Sequence, residues 1–168
     1  MKHEFVHCHV HSEFSLLDGA SKVKDIVKTA MDNDMPAIAL TDHNVMYGTI
    51  NFYNETQNEY KYGKKIKPLI GYEAYVATNG HLEKSSKEKY NLVLLAQNNK
   101  GYKNIVKLVS TGFVDGFYYE PRIDNELLEK YSEGVIALSA CLNGEVASSL
   151  LRGNFDRARN VAKKYKEI

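Results

Sequence analysis

Three histidines stand at every second position in His7-Cys8-His9-Val10-His11. Successive side chains of a β-strand point to opposite faces, so this spacing brings all three imidazoles to one face. A row of imidazoles suits a divalent metal better than an apolar core, although any one of them alone could be a satisfied core histidine. Asp18-Gly19 follows, where the chain must turn toward its next element; by itself that pair reads as a turn. Asp42-His43 closes the apolar run Ala37–Thr41, and titratable residues at the carboxyl end of a buried strand stand where α/β active sites gather. Capping of the following helix is the plainer role for Asp42. Glu73 interrupts the otherwise apolar stretch Pro68–Val76, where a carboxylate is unfavourable unless something positive compensates it. Cys141 follows Ser139-Ala140, and a thiolate there would favour zinc-like ions, although buried free cysteines are common.

Histidine nitrogens, carboxylates and one thiolate suit zinc, manganese or iron, and enough ligands are present for more than one ion. Such a cluster can activate water and hold both oxygens of an in-line phosphoryl displacement, which points to phosphate esters. The chain contains no Walker loop, no Gly-x-Gly-x-x-Gly and no Gly-x-Ser-x-Gly, so a nucleotide cradle, a dinucleotide cofactor and a hydrolytic serine are not expected.

Alternating strands and helices must position these residues. Phe5–His11 reads as the first strand. Ser21 is a candidate cap for a helix with Val23, Ile26, Val27 and Ala30 inward, ending near Met35-Pro36. Ala37–Thr41 suits a buried parallel strand. A helix is expected from about Gly48 to Tyr60, with Ile50, Tyr53 and Asn54 on one side. Lys65–Val76 is the third strand, and Thr78–Lys89 a polar, lysine-rich loop. Asn91–Gln97 is the fourth strand, and Tyr102–Gly112 a helix with Ile105, Leu108 and Val109 inward. Asp124–Tyr131 is a short helix leading to a fifth strand, Gly134–Ser139. Two helices close the chain, the last with Phe155, Ala158, Val161, Ala162 and Tyr165 on one face. The pattern implies a mainly parallel sheet, doubly wound or barrel-like, in one domain over residues 1–168. Five strands cannot close an eight-stranded barrel, so the chain reads as the front portion of one.

With 168 residues, 43% of them hydrophobic and 26% charged, the chain has the balance of an ordinary globular protein. No apolar run reaches the roughly 20 residues needed to span a bilayer, and the first residues carry no hydrophobic signal core, so a cytoplasmic protein without membrane contact is expected. A net charge of +1 gives no support for strong non-specific nucleic-acid binding. Two cysteines are too few for a disulfide framework.

His9-Val10-His11-Ser12, Thr41-Asp42-His43 and Gly71-Tyr72-Glu73 resemble the motifs of the polymerase and histidinol phosphatase (PHP) family. The stretches Phe5–Gly19, Leu40–Gly48, Gly116–Asp124 and Glu133–Leu142 narrow the resemblance to the PHP domains at the front of bacterial DNA polymerase III alpha subunits. It implies a distorted seven-stranded (β/α) barrel, here its first five or so strands, with one to three divalent metals at the strand ends. By position, His9, His11 and Glu73 would serve one metal, Glu73 and Cys141 a second, and Asp18 and His43 a third. His7 would lie just outside the ligands, and Arg122 would face the site and meet a phosphate. The implied chemistry is phosphoester cleavage of the 3′–5′ exonuclease kind, with Asp18, His43 and Glu73 at the reacting centre. The implied partners are DNA, met through the rest of a replicative polymerase, and other replisome subunits. A non-catalytic scaffold of the polymerase and a stand-alone phosphoesterase are the alternatives.

Two departures weaken the implied site. Asn91 stands where the family often has a histidine, and an amide is a poor substitute for a metal-binding imidazole; His81, in the nearby loop, is a candidate replacement. The chain also stops before the family's final Asp-x-His motif. A barrel stopped after five strands would leave an open edge, through which self-association is expected.

Overall fold

The computed structural model describes residues 5–168 and divides into two compact units, Met1–Tyr72 and Glu73–Ile168. In the first unit the expected strand Phe5–His11 is an extended segment without a regular ladder, bending at Cys8 and His9. It still lies against β1 (Ala37–Leu40): Ala39 N donates to His7 O at 3.0 Å, and Thr41 N donates to Val10 O at 2.8 Å. β1 is buried throughout and pairs in parallel with the start of β2 (Lys67–Ala77), from Ala37 opposite Lys67 to Leu40 opposite Ile70.

Helix α1 (Val23–Asp32) buries Val23, Ile26, Val27, Ala30 and Met31, the spacing of one helical stripe. Its N-cap is Lys22, with no side-chain cap bond, so Ser21 does not cap it. The helix expected from Gly48 to Tyr60 is two: α2 (Thr49–Thr56) and α3 (Glu59–Tyr62). The break falls where the Asn58 side chain accepts from Lys61 N and restarts the helix as an N-cap. The inward face of α2 is Thr49, Phe52 and Thr56, while Ile50 and Tyr53 are exposed. Phe52 is sealed in the core with Val27, Ile38, Leu40 and Ile66, and burial of such a side chain stabilises by about 1.5–3 kcal/mol.

The second unit holds the end of β2, then β3 (Lys89–Ala96), α4 (Asn99–Val114), α5 (Asn125–Lys130), β4 (Val135–Leu138), α6 (Glu145–Leu151) and α7 (Phe155–Glu167). Strand order among the described residues is β1-β2-β3-β4. β4 runs antiparallel to β3, with Val93 opposite Leu138 and Ala96 opposite Val135, which departs from the parallel arrangement expected. A close approach of Gly101 to Gly134 fixes the junction: a Cβ on Gly101 would stand 1.7 Å from Gly134 O, and Gly134 takes a φ of +73°. The Asn98 side chain caps α4 by accepting from Lys100 N and Gly101 N. α4 buries Ile105 and Leu108, whereas α7 buries Ala158 and Val161 but leaves Phe155 and Ala162 exposed. No described helix is long and apolar enough to cross a membrane.

Candidate metal centre

In the first unit the chemistry-bearing residues meet at the carboxyl end of β1. His9 and His11 approach through their Nε2 atoms, 3.0 Å apart. That is within the span of two ligand nitrogens that each sit about 2.0–2.1 Å from one cation. The His11 ring lies over the His43 ring, with centroids 4.1 Å apart and planes inclined by 32°. Asp18 Oδ2 is 3.8 Å from His43 Nε2, inside ion-pair range when that ring is protonated. His7 is exposed and meets the Phe5 ring edge-on, with centroids 4.7 Å apart. His7, His9 and His11 also line one wall of a cavity of about 430 Å³ whose other wall is α1.

A short turn carries Asp18 to this place. Asp18 N and Gly19 N both donate to Ser15 O, at 3.0 and 2.8 Å. Gly19 is required there, because a Cβ would stand 1.9 Å from Ser12 O. Asp42 lies beneath the turn, 1% exposed, and its carboxylate accepts from Ser12 N at 2.6 Å, Ser12 Oγ at 2.8 Å and Ser15 Oγ at 2.7 Å. Ser15 Oγ also meets His11 Nδ1 at 2.8 Å and accepts from His43 N at 3.1 Å. Asp42 is therefore neither an exposed ligand nor a helix cap; it ties the histidine segment to the end of β1. Asp42 was expected at the site or as a helix cap, not as an anchor, and Ser12 and Ser15 were not among the expected site residues. The only signal for them was hydroxyls spaced one and four residues after His11.

The second unit gathers a different set. Glu73, on β2, is 1% exposed, and its Oε1 accepts from Asn91 Nδ2 on β3 at 2.7 Å. The same amide nitrogen is 3.7 Å from Cys141 Sγ. Cys141 sits in the turn after β4, where Ala140 takes a φ of +60° and Gly144 N donates to Cys141 O. Asn91 N donates to Asn143 O at 3.1 Å, so this turn is fastened to the strand carrying Asn91.

Arg122 departs from expectation. It is 2% exposed, and its guanidinium donates to the carbonyls of Gly116, Ser86, His81 and Glu83. It holds the polar loop after β2 in place rather than meeting a phosphate, because buried carbonyls outside a ladder need donors. His81 does not join Asn91 either: its Nδ1 pairs with Asp124 Oδ2 at 2.5 Å, and its backbone N donates to the same oxygen. Asp124 Oδ1 in turn caps α5 by accepting from Leu127 N. Burial raises the Asp124 pKa, but the hydrogen bonds from His81 and Leu127 outweigh it and hold the carboxyl below its ordinary value.

A histidine pair with converging ring nitrogens at a strand's carboxyl end, with a carboxylate and a third imidazole beside it, defines an α/β domain equipped to bind a divalent cation. Comparison with known proteins gives the family: the PHP domain model matches residues 7–168, and the chain belongs to it. The DNA polymerase III subunit alpha of Borreliella burgdorferi is 48% identical over 168 residues, covering 98% of this chain and 14% of that protein. The same subunit of Deinococcus radiodurans is 42% identical, covering 98% of this chain and 13% of that protein. The chain thus spans about one seventh of the length of these relatives. Among solved structures, an amidohydrolase from Chromobacterium violaceum with bound sulfate is similar with a TM-score of 0.45 and 20% identity, over 64% of this chain and 32% of that one.

Proposed function

We propose that this chain is the PHP domain of a bacterial replicative DNA polymerase alpha subunit and that it carries a divalent-metal centre suited to phosphoester hydrolysis of the 3′–5′ exonuclease kind. The observation that carries this reading is the 3.0 Å approach of His9 Nε2 to His11 Nε2 beside His43 and Asp18. These donors fit zinc, manganese or iron. The family pattern adds Glu73 and Cys141 to the ligand set. A bound cation of this kind supplies an activated water and neutralises charge on phosphate oxygens. The chain's own residues hold and orient: Ser15 and Asp42 fix His11, and Asp18 sits on an exposed turn where its carboxylate can pair with a protonated His43 or share a ligand position.

DNA, reached through the remainder of a longer polymerase, and neighbouring replisome proteins are the partners this reading implies. Self-association through a sheet edge belongs to the same proposal, and sedimentation of the purified chain tests it. A second reading, a scaffold without turnover, is favoured by the Asn91 amide on Glu73, where a metal-binding imidazole would be needed.

Metal content of the purified chain, by mass spectrometry, tests the first reading, with the double variant His9→Ala/His11→Ala as control. Bound metal that is lost in the control, together with manganese- or zinc-dependent shortening of a 3′-labelled single strand, is the expected result. Bound metal without shortening favours the scaffold. No bound metal overturns the metal-centre reading.

A further inference from the structure

The hydrogen bonds that meet at Ser15 Oγ fix the proton on the Nδ1 side of His11. Asp42 is a buried carboxylate, and a carboxylate only accepts. Ser15 Oγ stands 2.7 Å from Asp42 Oδ1, so the single hydroxyl hydrogen must lie between those two oxygens. Turned elsewhere, it would leave two lone pairs facing each other at that distance, an unfavourable contact in a buried place. Ser15 Oγ already accepts the backbone N–H of His43 at 3.1 Å. With its hydrogen committed to Asp42, its remaining lone pair faces His11 Nδ1 at 2.8 Å, and that nitrogen must carry the proton.

We propose that Ser15 and Asp42 are a positioning pair that keeps a proton on His11 Nδ1, so that Nε2, the nitrogen facing His9, is the one presented to a cation. The pair acts through His11 and touches no substrate. An imidazole free to choose would place its proton on either nitrogen, and the fraction protonated on Nε2 cannot bind metal without rearranging. Ser12 reinforces the arrangement: its backbone N–H and its hydroxyl occupy both oxygens of Asp42, so the carboxylate cannot rotate away from Ser15. Ser15 sits four residues after His11 on the turn, while Asp42 arrives from the end of β1, so two distant segments must both be in place.

The proposal rests on the metal-binding reading of His11, yet its test does not depend on that reading. The ¹⁵N-labelled, metal-free chain is measured by long-range ¹H–¹⁵N correlation at a pH where the rings are neutral, as parent, Ser15→Ala and Ser15→Thr. The expected result is a single Nδ1–H tautomer for His11 in the parent and in Ser15→Thr, which keeps the hydroxyl, and a mixture in Ser15→Ala. Zinc affinity is expected to fall about 10–100-fold in Ser15→Ala and to recover in Ser15→Thr. An Nε2–H tautomer in the parent overturns the proposal, and so does an unchanged tautomer in a folded Ser15→Ala. If Ser15→Ala fails to fold, the parent spectrum alone decides. If no variant binds zinc, the metal-binding reading fails while the tautomer still reports on the pair.

Discussion

The side-chain amide of Asn91 donates to Glu73 Oε1 at 2.7 Å and stands 3.7 Å from Cys141 Sγ, so a neutral donor lies between two side chains of metal-ligand type. Asn91→Leu removes that donor from a buried carboxylate and is expected to lower stability by about 1–3 kcal/mol, read by urea denaturation. Asn91→His replaces the donor with a ligand. It should raise zinc content above that of the parent, and the added Cys141→Ala should cancel the gain. Equal zinc in parent and Asn91→His would show that Glu73 and Cys141 are not poised to share an ion.

Arg122 is expected to act on stability and not on chemistry. Arg122→Met keeps much of the buried volume but strips three carbonyls of the loop after β2, and Gly116 O, of their donor, for a loss of about 3 kcal/mol or more. Thermal unfolding checks this. Metal content at 20 °C should match the parent, because none of the four carbonyls belongs to a proposed ligand.

Tyr72 is fully buried, and its hydroxyl meets no hydrogen-bond partner among the described residues. Burial alone pushes its pKa far above the ordinary phenol value. Tyr72→Phe should therefore be neutral or stabilise by about 1 kcal/mol, since the desolvation penalty is removed and no bond is lost. A clear loss of stability would reveal a partner for that hydroxyl.

The lowered pKa of Asp124 makes its contribution depend on pH in a defined sense. A carboxyl whose folded pKa lies below its unfolded value of about 3.9 contributes stability that is fully present above that unfolded pKa. The contribution disappears as pH falls through the folded pKa. Asp124→Ala should cost about 0.5–2 kcal/mol at pH 7 through loss of the α5 cap. The gap to the parent should narrow below about pH 4. Chemical denaturation at pH 7 and pH 3 measures both.

What the sequence revealed depended on how far apart the cooperating residues lie. The His9/His11 approach is written in a spacing of two, and the Asp18-Gly19 turn in adjacent residues, so both were readable. The fastening of Ser15 to Asp42 spans 27 residues, and no local pattern announces it. For Arg122, an isolated cation after a proline gave no hint that three carbonyls of a distant loop, and Gly116 O nearby, would claim it. Direction was equally silent in Val135–Leu138: four apolar residues fit a parallel or an antiparallel neighbour, and only pairing with β3 decided it. On α2, Tyr53 and Phe52 are both plausible core aromatics one residue apart, and tertiary packing on α1 chose Phe52.

Leu17, at the tip of the turn, holds a φ of +72° with its side chain fully in solvent. An L-residue there gives up roughly 1–2 kcal/mol against its right-handed alternatives, and no packing returns it. A library randomised at positions 17 and 19 and sorted for folding yield alone would drift to glycine or asparagine at 17. At 19 it would keep glycine, because Ser12 O leaves no room for anything larger.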